Sequence, residues 1–82
     1  MTEQEIRDLF LNEINKVAPD IDPSDVSDDD HLQDDLELDS MDILSLVTAL
    51  DARLGISIPE ADYPQIETLT KAVRYLAGKL AG

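Results

Sequence analysis

Ser40 lies in the run Asp34-Asp35-Leu36-Glu37-Leu38-Asp39-Ser40-Met41-Asp42, where an acidic, irregular stretch gives way to helical spacing. A serine placed there presents its hydroxyl at a helix N-terminus. Unpaired backbone N–H groups and the positive end of the helix dipole make such an end a good seat for a phosphate. Nothing in the chain activates that hydroxyl as a nucleophile. There is no nucleophile elbow and no oxyanion loop, and His31, the only histidine, has no spacing that ties it to Ser40. His31 therefore reads as a loop-packing residue. Ser40 reads as a serine that another enzyme modifies, on a chain that is not itself an enzyme.

The other chemistry-bearing cluster is Asp28-Asp29-Asp30 with Asp34, Asp35 and Glu37. It lacks the central glycine of a calcium-binding loop, so no dedicated metal site is expected. Cysteine is absent, which removes disulfides and thiolate metal sites. The formal charge is −13 in 82 residues, and it is unevenly placed. The stretch between Lys16 and Arg53 holds twelve acids and no lysine or arginine, so it carries −12 of that total. Nucleic acid and anionic membranes should be repelled. A partner with a basic docking patch should be attracted, through an encounter that weakens as salt rises. The acidic, polar start Met1-Thr2-Glu3-Gln4-Glu5 lacks the layout of a signal peptide, and no apolar run is long enough to span a membrane. The expected setting is the cytoplasm, and the expected state is a monomer formed by one domain over residues 1–82.

Three helices must position Ser40. Residues 3–17 place Ile6, Leu9, Phe10, Ile14 and Val17 on one face, with Thr2 and Glu5 as a capping box. Residues 40–54 turn Ile43, Leu46, Val47, Leu50 and Leu54 inward, capped by Asp39 with Asp42 at the third position and ended by Gly55. Met41, Leu44 and Thr48 project outward and form a small apolar patch beside Ser40. Residues 68–80 form the last helix, with Thr68 or Thr70 as its cap. Residues 60–66 form a short helical turn limited by Pro59 and Pro64. Residues 56–59 read as a packed connector. The acidic stretch 18–39 reads as an ordered loop, because Ile21, Val26, Leu32 and Leu36 are spaced through it as core anchors. The fold class is all-α: a small four-helix bundle of three main helices and one short one, with a long acidic loop between helices one and two.

With Asp35-Leu36 upstream and Asp42 downstream, Asp39-Ser40-Met41 resembles the attachment motif of the acyl carrier protein family, Asp-Leu-Gly-x-Asp-Ser-Leu-Asp. The resemblance extends over nearly the whole chain, through the acidic first loop, the apolar face of helix two, Ile58-Pro59 and the final amphipathic helix. It implies that Ser40 receives 4′-phosphopantetheine from coenzyme A, delivered by a phosphopantetheinyl transferase. The arm's thiol would then carry acyl intermediates as thioesters in fatty acid, specialised lipid or polyketide-type biosynthesis. Asp39 and Met41 would flank the attachment point. Asp35, Asp42, Leu44 and Asp51 would meet acyl-transferring and chain-elongating enzymes. Leu46, Leu50, Ile58, Tyr63 and Ile66 would line an interior able to shelter an acyl chain.

Three departures from the family pattern stand out. Glu37 occupies the usual glycine position, Met41 replaces leucine, and Ser45, Ala52 and Arg53 leave helix two less acidic than in a typical fatty-acid carrier. These widen the expected partners to a dedicated lipid, polyketide or peptide pathway. The alternatives are a peptidyl or aminoacyl carrier, or an acidic helical adaptor that binds a basic partner and in which Ser40 serves only as a helix cap.

Overall fold

A computed structural model describes residues 1–81, whose main elements are α1 (Glu3–Val17), α2 (Ser40–Leu54) and α3 (Leu69–Ala81). Each helix starts where its capping chemistry dictates. Thr2 Oγ1 accepts from the Glu5 N–H at 3.1 Å, and Glu5 returns a bond to the Thr2 N–H at 2.8 Å. Asp39 and Asp42 repeat that exchange at 2.8 and 3.3 Å. Thr68, not Thr70, caps α3, by accepting from the Lys71 N–H at 3.2 Å. Gly55 ends α2 in the left-handed conformation at φ 65°.

The core joins one face of each helix. Ile6, Phe10 and Ile14 of α1 meet Leu46, Val47 and Leu50 of α2 and Leu69, Ala72 and Leu76 of α3. Complete burial of a side chain of this size contributes roughly 1.5–3 kcal/mol. Leu9, Val17, Ile43 and Leu54, expected on the inner faces, lie half-buried at the margin, as does Leu80 of α3. The spacing of α1 also carries Glu13 onto the buried face, where only 3% of it is exposed. Arg53 of α2 and Lys16 each approach Glu13 Oε1 to 3.2 Å. The cation that made helix two less acidic thus folds back to neutralise a buried carboxylate.

The acidic stretch is an ordered loop. Val26 and Leu32 are buried anchors, Ile21 and Leu36 are half-buried, and Leu38, unremarked in the sequence, is buried as well. Asp22 caps a short 3-10 turn, Pro23–Asp25. Asp28 pairs with Arg7 of α1, while its carbonyl accepts from the Thr70 N–H of α3 at 3.1 Å. His31 forms an isolated antiparallel bridge with Thr68, and the Leu32 N–H donates to the Glu67 carbonyl at 2.9 Å. The loop is therefore sewn to the entrance of α3 just before it delivers Ser40. Glu37 makes that delivery with φ 60°, in the left-handed region that favours glycine. The turn keeps the geometry expected of glycine and forces glutamate into it.

The segment Glu60–Ile66, read as a short helical turn, is a 3-10 helix. Pro64 lacks an N–H and disfavours α geometry at Tyr63, so the tighter winding results. Tyr75 of α3 donates its hydroxyl to Asp62 Oδ2 at 2.6 Å and fastens this segment to α3. Among the described residues no helix is long and apolar enough to cross a membrane.

Candidate functional site

Ser40 is the first residue of α2 and is exposed. The Asp39 side chain occupies the Asp42 N–H, and the Asp39 carbonyl accepts from the Ile43 N–H at 3.0 Å. The N–H groups of Ser40 and Met41 have no acceptor within the helix, as its geometry requires. A phosphate ester on Ser40 would sit at this end with the dipole in its favour. Met41 and Leu44 flank it at 69% and 48% exposure, the apolar patch read from the sequence. Thr48 extends that strip, its hydroxyl turned back onto the Leu44 carbonyl at 2.9 Å.

Beside Ser40 opens a cavity of about 190 Å³ lined by His31, Leu32, Gln33, Ser40, Ile43, Tyr63, Pro64, Ile66 and Glu67. It lies where the loop, the start of α2 and the 3-10 segment meet. Of the five residues read as an acyl-chain lining, Tyr63 and Ile66 border this space. Leu46 and Leu50 are fully buried in the core, and Ile58 is buried without reaching the cavity. Helical periodicity marks an inward face but not depth within it, which is why these residues looked alike in the sequence.

The acids expected at a docking surface already hold the backbone. Asp35 accepts from the His31 N–H at 2.7 Å, and Asp42 accepts from the Asp39 N–H. Asp51 accepts from the Ile58 N–H at 3.1 Å, which fixes the connector after α2. Asp35 remains exposed, whereas Asp42 and Asp51 are half-buried.

The structure also brings together residues that the sequence did not connect. His31 shares the cavity with Ser40. Its Nδ1 accepts from the Gln33 N–H at 3.1 Å and its Nε2 faces Glu67 Oε2 at 3.2 Å. With Nδ1 accepting, a hydrogen on Nε2 can be donated to Glu67. Lys71 holds the other Glu67 oxygen at 2.6 Å. Lys71 first and His31 second keep the Glu67 carboxyl below the usual glutamate range. No local pattern could have signalled this group, since its members come from three separate segments.

Burial, and then the bond to Asp62 with the charges of Asp62 and Asp51, pushes Tyr75 up to about 12. A raised phenol pKa means that the fold prefers the protonated form. The stabilisation should be complete below the ordinary value of 10.0 and should be lost as pH climbs through about 12. Melting curves recorded across that window should show an alkaline loss that Tyr75→Phe removes. An identical alkaline loss in the variant would assign it to other groups.

Comparison with known proteins agrees with this geometry. A family model described as phosphopantetheine attachment site matches residues 4–76. The chain is 38% identical over 55 residues to the mitochondrial acyl carrier protein of Neurospora crassa, a match covering 67% of this chain and 41% of that relative. It is 32% identical over 73 residues to the acyl carrier protein of Rubrobacter xylanophilus, covering 85% of this chain and 90% of the other. The solved structure of the acyl carrier protein from Enterococcus faecalis is similar with a TM-score of 0.80 at 30% identity, over 96% of this chain and 99% of that one. The motif around Ser40, the helical fold and these matches lead to one conclusion: the chain belongs to the acyl carrier protein family, whose members are non-catalytic carriers bearing phosphopantetheine.

Proposed function

We propose that Ser40 is the attachment point of 4′-phosphopantetheine and that the chain carries acyl intermediates of fatty acid, specialised lipid or polyketide-type synthesis on that arm. The observation that carries this reading is the exposed Ser40 hydroxyl, at the capped start of α2 and on the rim of a cavity. The local residues fit the group. The helix end favours a phosphate, and Ser40 is exposed to solvent. The bound arm supplies a thiol that holds the acyl group as a thioester. Asp39 fixes where α2 begins, and so where the Ser40 oxygen stands. Met41 and Leu44 offer apolar contact to a visiting enzyme, on the order of 1 kcal/mol or more each if fully covered. The acidic loop, with Asp35, Asp42 and Asp51 near the same helix, supplies the long-range attraction for basic docking patches on the transferase and on acyl-handling enzymes. Such docking is fast and readily reversed, as a shuttle between active sites requires.

Incubation with coenzyme A and a broad-specificity phosphopantetheinyl transferase should add a single arm to the intact mass. Ser40→Ala should abolish the addition completely. An unchanged mass for the parent chain with several such transferases would favour the acidic adaptor instead.

A further inference from the structure

The cavity beside Ser40 is small and only partly apolar. At about 190 Å³ it is little larger than the roughly 150 Å³ apolar void that holds one benzene, so it suits a short group and not a long alkyl chain. His31, Gln33 and Glu67 give its lining hydrogen-bonding character. Glu67 is held in place from two sides, by Lys71 on Oε1 and His31 on Oε2, and His31 is held in turn by the Gln33 backbone. Each carboxylate oxygen has a second lone pair, so Glu67 Oε2 can still accept from a hydroxyl. Gln33 lines the same space from an exposed position, and a glutamine side chain can offer both a donor and an acceptor there.

We propose that Gln33 and Glu67 are specificity-determining residues, and that the cavity takes a short β-hydroxyacyl group in preference to a plain alkyl group of the same length. This rests on the reading of Ser40 as the arm's anchor. The flexible arm folds back so that the thioester meets the cavity mouth and the β carbon enters it. A β-hydroxyl donates to Glu67 and accepts from Gln33. An unsubstituted chain displaces water from the cavity side of Glu67 and offers neither group a bond. Discrimination built on a hydroxyl the site can pair is stronger than discrimination by a methylene.

The test is to load the chain with butyryl- or β-hydroxybutyryl-phosphopantetheine from the corresponding coenzyme A thioesters. Hydroxylamine cleavage is then timed for each, normalised to the same thioester on free pantetheine. The β-hydroxybutyryl form should be protected on the order of fivefold more than the butyryl form, the worth of one net hydrogen bond. Backbone amides of residues 31–33, 63 and 65–67 should shift in the β-hydroxybutyryl form beyond their positions with the bare arm. Gln33→Ala, at an exposed position that leaves the core intact, should erase the difference, and Glu67→Leu should erase or invert it. Equal protection of the two cargoes on chains of confirmed acylated mass would overturn the proposal. So would amide shifts already complete with the bare arm. A chain that accepts no arm would instead overturn the reading of Ser40.

Discussion

Replacing Leu32 with alanine should cost about 2–5 kcal/mol, the usual range for emptying a buried leucine site. Leu32 is 1% exposed, anchors the acidic loop and also lines the cavity beside Ser40. Its own N–H donates to the Glu67 carbonyl, and its carbonyl accepts from the Leu38 N–H at 2.9 Å. Truncation therefore removes core volume at the point where the loop is sewn to the entrance of α3. Small domains hold only about 5–15 kcal/mol in total, so much of the margin should vanish. Urea denaturation should show a large fall in the midpoint, with the melting temperature dropping on the order of ten degrees or more. Amide exchange across residues 31–39 should accelerate more than exchange in α1. A loss below about 1 kcal/mol would mean that the loop is held by its hydrogen bonds and not by the core.

The second large effect should come from Arg53→Ala. Glu13 is almost wholly buried between α1 and α2, and its carboxylate is shared by Arg53 and the more exposed Lys16. Losing Arg53 leaves a desolvated charge with one mobile partner. The cost of breaking such a pair is about 3–5 kcal/mol when no partner remains. With Lys16 still in reach, about 1–3 kcal/mol is expected, or several degrees of melting temperature. Glu13→Met should be close to neutral, because it removes the buried charge and returns two half-exposed cations to water. If Glu13→Met were far more damaging than Arg53→Ala, the carboxylate would be holding something other than these two cations.

The main elements were legible because their start signals are local. Thr2 with Glu5 and Asp39 with Asp42 fix two helix beginnings by chemistry that spans only three residues, and both boxes form as the spacing indicates. The ordered loop was legible through Val26 and Leu32. Leu38 was not, because it sits among acids in a turn and has no periodic neighbours. Glu13 could not be seen, since a buried carboxylate looks like any helix-surface glutamate until Arg53, forty residues away, folds onto it. The same limit applied at the site. The position of Ser40 on α2 followed from capping, but its shared cavity with His31 and Glu67 depends on the loop pairing with the residues before α3. The backbone duties of Asp35, Asp42 and Asp51 were likewise hidden, because composition records a charge and not its partner.

Glu37 has a bearing on how this scaffold can be re-engineered. A side chain held in the left-handed region costs roughly 1–2 kcal/mol, and glycine forfeits only about 0.5–1 kcal/mol through its looser unfolded chain. Position 37 is exposed and lies outside the cavity lining. A sturdier version for transporting unnatural cargo is therefore available from one codon, with every group around the attachment serine left untouched.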